Sequence, residues 1–369
     1  MAAHDKNFDI PKRYKAVVYD NPGTISTKIV EMETPEPGHG EVLVRITHSG
    51  VCHSDLAVME NAWVETMGMP PTPLAQIGGH EGVGVIHRMG PGTEKASVKL
   101  GDRVGIRLTT SVCGSCEKCL SGLETRCPSR QTGGIRKPGT FQQYVVSSAF
   151  YVTPIPDGLD PVIAAPMLCA GITVFSALNR CDTRPGQWVV ISGAGGGLGH
   201  IACQLGSRGM AFRIIGVDHG SKEGLVRESG AEEFIDVTKF DDKTIAEEVK
   251  RLTGGKGATA AISCTSSNRA YSQALSMLTE GGTLVCAGVP EGTPQEISGA
   301  FPSNMIGRCL TIRGVSMGNK KDAIEIMDFA ARRVVKPHCQ VEKMENLTAV
   351  FKEMSEGKLM GRVVLDLLS

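Results

Sequence analysis

The segment WVVISGAGGGLGHIACQLG, residues 188–206, runs an apolar strand into a glycine-rich turn and then into a helical stretch. A strand that feeds a helix through such a turn belongs to a parallel sheet with crossover connections, which narrows the choice of fold sharply. The sequence around it agrees: from about Ala165 the apolar strands FRIIGVD, ATAAISC, LTEGGTLVCAGV and LTIRGV alternate with helical segments. Gly193, Gly196 and Gly199 give GxxGxxG, one residue longer than the usual dinucleotide fingerprint, and Gly197 and Leu198 complete the turn. The physical requirement is unchanged, because backbone must approach a diphosphate closely and the start of a helix must offer it unpaired N–H groups. Nineteen residues beyond Gly199, FRIIGVD ends in Asp218. A carboxylate there accepts hydrogen bonds from adenosine ribose hydroxyls and repels a 2′-phosphate, so NAD(H) is expected in preference to NADP(H), with Lys222 as a complicating cation.

The part before Ala165 has a different texture. Short strands punctuated by Gly and Pro, among them YKAVVYD, EVLVRITHSGV, GVGVIHRMG, DRVGIR and FQQYVV, predict an irregular β-rich domain. The closing GRVVLDLLS has no place in the strand–helix alternation and is expected to return to this first domain. Lys plus Arg and Asp plus Glu stand at 39 each, and no basic run would track phosphates or an anionic membrane, so neither nucleic acid nor membrane is an expected partner. The opening MAAHDKNFDIPKRYK lacks the apolar stretch of a signal peptide, and no run is expected to reach the ~18 apolar residues that cross a bilayer. The protein is expected to be cytoplasmic.

Twelve cysteines in a chain of this size, without an export signal, point to reduced thiols and metal ligation rather than disulfides. Cys113, Cys116, Cys119 and Cys127 lie within fifteen residues in a CxxCxxCx7C spacing, and four thiolates fill the sphere of a tetrahedral, structural zinc. An iron–sulfur cluster is the rival, since Pro128 follows Cys127, but its motifs place the last cysteine about three residues on, not seven. Two further clusters of ligand types sit in glycine-rich surroundings: GVCHSD, with Cys52, His53, Ser54 and Asp55, and GGHEGVGV, with His80 and Glu81. Cys169 in LCAGIT offers a third ligand, and two Cys, one His and an open position form one ligand set of catalytic zinc. A lone His beside glycines is as readily a turn residue, so the weight rests on the combination. Cys181, Cys203, Cys264, Cys286, Cys309 and Cys339 fall in apolar contexts and read as small core residues.

Taken together, GVCHSDL, GGHEGVGV, LGDRVGI, the cysteine lobe, GTFQQY, LCAGIT, ISGAGGGLG and GRVVLDL resemble the zinc-containing medium-chain alcohol dehydrogenase family, and within it the microbial ethanol dehydrogenase branch. The resemblance implies an α/β protein: a GroES-like β-rich catalytic domain over 1–165 and 315–369, with a structural-zinc lobe at about 108–130, and a doubly wound Rossmann domain over 166–314. It implies two zinc ions per subunit and NAD(H), with Cys52, His80 and Cys169 on the catalytic metal and the four lobe cysteines on the other. Asp55 would hydrogen-bond the far nitrogen of His80, and Glu81 would lie behind the metal as an occasional ligand. His53 would reach the diphosphate, Thr173 would lie by the nicotinamide, and Val289, Val315 and Met317 would position its ring. A small alcohol or aldehyde is the implied substrate and a homotetramer the implied assembly, with a dimer second.

Two departures from that family stand out. Its proton relay runs from a hydroxyl, here Ser54, through the nicotinamide ribose to a histidine whose place eight residues after Cys52 is taken by Glu60, so Glu60 or bulk water is expected to complete the relay. In the substrate pocket Trp63 keeps one wall tryptophan, but Leu108 replaces the second and the stretch MGMPPTPLAQI lengthens the chain before His80. Exchanging an indole for an isobutyl group opens volume, which predicts a substrate bulkier than ethanol: branched, aromatic or a biosynthetic intermediate. An NADPH-linked cinnamyl-type reductase is the nearest enzymatic rival, opposed by Asp218. A metal-binding or redox-sensing module without turnover leaves the glycine turn and the Cys52, His80, Cys169 set unexplained.

Overall fold

The computed structural model describes residues 8–369, so the first seven residues of the 1–165 segment lie outside the described residues. Trp188–Ser192, Arg213–Asp218, Glu233–Asp236, Ala258–Ser263, Leu278–Cys286 and Thr311–Gly314 form a six-stranded sheet whose pairings are all parallel. Taken in chain order, the strands lie third, second, first, fourth, fifth, sixth. The order therefore reverses at Trp188–Ser192, and in such a doubly wound sheet the crevice beyond the reversing strand holds the ligand. Glu233–Asp236, with the sequence EFID, is not evident from the sequence: it is four residues long, sits on the sheet edge and buries only Ile235 fully.

The β-rich part pairs antiparallel for the most part. Gly82–Met89, Tyr144–Ser148 and Arg362–Asp366 all pair with the long strand Glu41–Val51. The last of these is the closing GRVVLDL, which joins the first domain by pairing Val363 with Val51, one residue before Cys52. On its other side it runs parallel to Cys339–Lys343, another strand absent from the sequence reading because its residues are partly or fully exposed.

One expectation is corrected. The helical run Pro161–Asn179, PVIAAPMLCAGITVFSALN, has 19 residues and a mean hydropathy of 1.9, so by length and composition it is apolar enough to cross a membrane. Its best window is 83% buried within the protein, against Val189, Ile201 and Ile326 among others, as expected of a helix that is apolar all round and serves as core. Asp160 starts the run by accepting a hydrogen bond from the Val162 N–H, and Pro161 occupies the first helical position, where its missing N–H costs nothing. Within it, Met167–Gly171 adopts a π turn, and Cys169 sits in that turn.

The turn after Trp188–Ser192 is as tight as its glycines suggest. Gly199 opens the helix Gly199–Gln204 so close to the start of the turn that an added methyl group would overlap the carbonyl oxygen of Gly193. Because the obstacle is backbone, Gly199→Ala is expected to cost about 1–3 kcal/mol, read as a lower midpoint of thermal unfolding and weaker dinucleotide binding.

Candidate active site and metal centres

Three distant segments meet at one buried point. Cys52 directly follows Glu41–Val51 and caps the helix His53–Met59, His80 and Glu81 lead into Gly82–Met89, and Cys169 comes from the π turn within Pro161–Asn179. One ligand atom from each of Cys52, His80, Glu81 and Cys169 lies within 4.8 Å of the others, and all four side chains are buried. The GGHE turn is possible because Gly79 takes φ +89°, a left-handed conformation that side chains disfavour.

Asp55 organises the ligands. Its Oδ1 accepts hydrogen bonds from His80 Nδ1 at 2.9 Å and from the Gly79 N–H at 3.0 Å, while its Oδ2 accepts from the Cys52 N–H at 3.0 Å. With Nδ1 bound to the Asp55 carboxylate, Nε2 is the His80 nitrogen left facing the sulfurs, 3.3 Å from Cys169 Sγ, and it becomes a ligand atom once it gives up its proton. Burial alone would lower the His80 pKa, but the Asp55 carboxylate outweighs it and raises it well above the usual value. The hydrogen bond with Cys169 pulls the Cys52 thiol well below its ordinary value, and the same bond pushes Cys169 well above. Two sulfurs sharing one proton beside an oriented imidazole are a donor set from which a divalent cation displaces that proton, so these residues fit zinc.

Glu81 is fully buried, and burial raises its carboxyl to about 7 against the opposing charge of Arg362. One carboxylate oxygen pairs with the equally buried Arg362 guanidinium. Sequence reasoning quoted GRVVLDL without singling out Arg362; the available signal was a cation opening an apolar strand.

In the lobe, one ligand atom from each of Cys113, Cys116, Cys119 and Cys127 lies within 4.8 Å of the others. Cys113 Sγ stands 3.9 Å from Cys119 Sγ and 3.6 Å from Cys127 Sγ. A tetrahedron with bonds of ~2.3 Å has edges of about 3.8 Å, so the four sulfurs fit one zinc. Backbone N–H groups of Ser115 and Cys116 pull the Cys113 thiol down to about 6.

The remaining expected residues fall as follows. Gly193, Gly196, Gly197, Leu198 and Gly199 form the turn at the sheet's reversal point, and Asp218 ends the adjacent strand. Asp218 accepts the Gly195 N–H at 2.8 Å, which ties it to the turn, and Lys222 Nζ lies 3.7 Å from its carboxylate. Thr173 donates to the Cys169 carbonyl at 2.7 Å, one helical turn beyond the ligand. Val289 is exposed in the loop after Leu278–Cys286, Val315 donates its N–H to the Cys286 carbonyl at 2.9 Å, and Met317 holds a left-handed φ of 56°. His53 faces this side too, but its Nε2 pairs with Glu291 at 2.9 Å, a carboxylate that the sequence reading did not single out.

Ser54 and Glu60 share the helix His53–Met59 and its C-cap. A spacing of six residues leaves them about a third of a turn apart, whereas His53 and Glu60, seven apart, share a face. Accordingly His53, Glu60 and Glu291 line one cavity of about 260 Å³, which neither Trp63 nor Leu108 lines. Burial, then repulsion from Glu291, raises the Glu60 carboxyl. Trp63 packs half-buried against the core of the β-rich domain, and Leu108 is half-buried between Arg103–Ile106 and Thr109–Ser111.

Zinc counting tests both centres. Cys127→Ser is expected to remove the lobe's ion and Cys169→Ser the other, each leaving one equivalent by elemental analysis, while Asp55→Ala weakens the second centre about 10–100-fold in a chelator competition.

Residues 38–157 match the alcohol dehydrogenase GroES-like domain and residues 197–332 match the zinc-binding dehydrogenase family. Alcohol dehydrogenase 2 of Emericella nidulans is 55% identical over 97% of this chain and 99% of its own. Among solved structures, that of AibC superposes with a TM-score of 0.86 at 28% identity over 99% of both chains. An NAD-dependent alcohol dehydrogenase superposes at 0.85 and 29%, over 95% of this chain and 99% of that one. Near-complete coverage, both domain matches and the two sets of ligand-type residues lead to one conclusion: the chain belongs to the zinc-containing medium-chain alcohol dehydrogenase family.

Proposed function

We propose that this enzyme interconverts an alcohol and its aldehyde or ketone with NAD(H), using zinc at Cys52, His80 and Cys169 and a second, structural zinc in the cysteine lobe. The observation that carries the reading is the convergence of one imidazole and two sulfurs, from segments 28 and 89 residues apart, in a chain that also carries the parallel sheet with its glycine turn. When bound, zinc supplies Lewis acidity to the substrate oxygen and the nicotinamide exchanges the hydride. The chain's own part is to hold, orient and exclude water. Asp55 fixes the tautomer of His80, Thr173 and the backbone around Val289, Val315 and Met317 would orient the ring, and His53 would meet the diphosphate once Glu291 yields it. Asp218, held at the end of its strand, supports NAD(H), in keeping with the NAD-dependent relative named above. Lys222 beside it is the one observation that favours NADPH, and kinetics with both cofactors decide. By resemblance the enzyme would work in the cytoplasm as a homotetramer, with a dimer as second reading, which light scattering of the pure protein distinguishes.

Leu108 in place of a wall tryptophan supports a substrate bulkier than ethanol. In a panel of alcohols, benzyl and longer-chain substrates are expected to exceed ethanol in kcat/KM, and Leu108→Trp to shift that ratio toward ethanol about tenfold. A wild type that prefers ethanol ends this reading.

A proton leaving Ser54 would pass to Glu60 or to bulk water. Glu60 stands about a third of a turn from Ser54, so the two do not share a face and the nicotinamide ribose of the family's relay would have to join them. If Glu60 takes part, Glu60→Gln alters the pH profile of kcat in the acid range; superimposable profiles remove it from the mechanism.

A further inference from the structure

The helix that follows the glycine turn carries two polar side chains on its buried face, His200 and Gln204, four residues apart and therefore one above the other. Neither belongs to a metal set, and both reach the same backbone segment. Gln204 donates from Nε2 to the Lys336 carbonyl at 2.9 Å and accepts the Lys336 N–H on Oε1 at 2.8 Å. His200 accepts the His338 N–H on Nε2 at 3.1 Å, and its Nδ1 lies 2.7 Å from the Gly196 carbonyl within the turn.

These partners fix the proton. A backbone N–H can only donate and a carbonyl can only accept, so His200 must be neutral, with its hydrogen on Nδ1. Full burial acts the same way, pushing its pKa down to about 4. The imidazole is thus a rigid two-ended connector between the turn and residue 338. Beyond it the path continues in backbone and side chain. The His338 carbonyl accepts the Arg362 N–H at 2.8 Å, the Arg362 guanidinium pairs with Glu81, and Glu81 lies among the ligand atoms of Cys52, His80 and Cys169. Arg362 also abuts the turn directly, where a methyl group on Gly197 would come within 3.0 Å of its Cδ.

We propose that His200 is a positioning residue for hydride transfer: by joining the Gly196 carbonyl to the His338 N–H, it sets the dinucleotide turn relative to the strand that carries Arg362 and hence to the metal cluster. Gln204 anchors the same segment from the far side, one helical turn from the glycine turn, and supplies stability instead. The inference rests on the reading of Gly193–Gly199 as the dinucleotide turn.

The test compares side chains that keep or lose the acceptor for the His338 N–H in the zinc-loaded enzyme. His200→Leu is expected to raise the NADH dissociation constant, followed by fluorescence, and the KM for NAD about tenfold, with the KM for alcohol changed less than about twofold. His200→Gln places an amide oxygen where Nε2 was and restores NADH binding to within about threefold. Gln204→Leu lowers the melting temperature with NADH affinity changed less than about twofold, because it releases the segment without touching the turn. Wild-type NADH affinity in His200→Leu, or a His200→Gln as weak as His200→Leu, overturns the proposal. Should His200→Leu not fold, His200→Asn, whose amide falls short of His338, takes its place against His200→Gln, and equal NADH affinities in that pair overturn it. A wild-type enzyme that binds no NADH sinks the dinucleotide reading itself, which is a different failure.

Discussion

A single buried carboxylate holds the site together. Asp55 takes the Cys52 N–H on one oxygen and the Gly79 N–H and His80 Nδ1 on the other, so one side chain fixes two metal ligands that are 28 residues apart in the chain. Removing a buried acceptor strands its donors in a low-dielectric interior, where each unpaired group costs about 1–3 kcal/mol. The surroundings of Asp55 are accordingly rigid: Cys52 begins a helix, Gly79 holds a left-handed turn and His80 has one usable nitrogen left. That nitrogen faces the sulfur of Cys169 because no other orientation satisfies Nδ1.

The third ligand and the charge balance come from elsewhere. Cys169 lies in a π turn of the apolar run Pro161–Asn179, a segment that passes through the core and so reaches the cluster from below. Glu81 and Arg362 are buried side by side next to it. A buried carboxylate among thiols needs a cation, and Arg362 supplies it from a strand near the end of the chain, joined to Glu41–Val51 through Val363 and Val51. The return of GRVVLDL to the first domain therefore completes the electrostatics of the site as well as its sheet.

Much of this was legible in the residues, for reasons that differ from place to place. The lobe cysteines are close enough in sequence that their convergence needs little beyond a turn. The glycine turn announces itself because a strand, a run of glycines and a helix can be arranged in few ways. Glu233–Asp236 and Cys339–Lys343 escaped notice because edge strands with exposed faces carry no alternation. Pro161–Asn179 was underestimated because Pro, Gly, Thr and Ser interrupt its apolar residues, although its mean hydropathy is high. Glu291 gave no signal at all: a carboxylate in a loop becomes notable only when the fold sets it 2.9 Å from His53.

By itself the sequence determined the chemistry on offer: which thiols and imidazole are available, that four cysteines share a lobe, and that a diphosphate-sized turn precedes a helix ahead of an acidic strand end. Those are properties of residue type and short spacing, which local sterics and ligand preferences control. Only the tertiary structure decided which charges meet. It set Arg362 against Glu81, His53 against Glu291, and His200 between the turn and His338. Such pairings span tens to hundreds of residues, and their energies depend on burial and distance, which no spacing along the chain encodes.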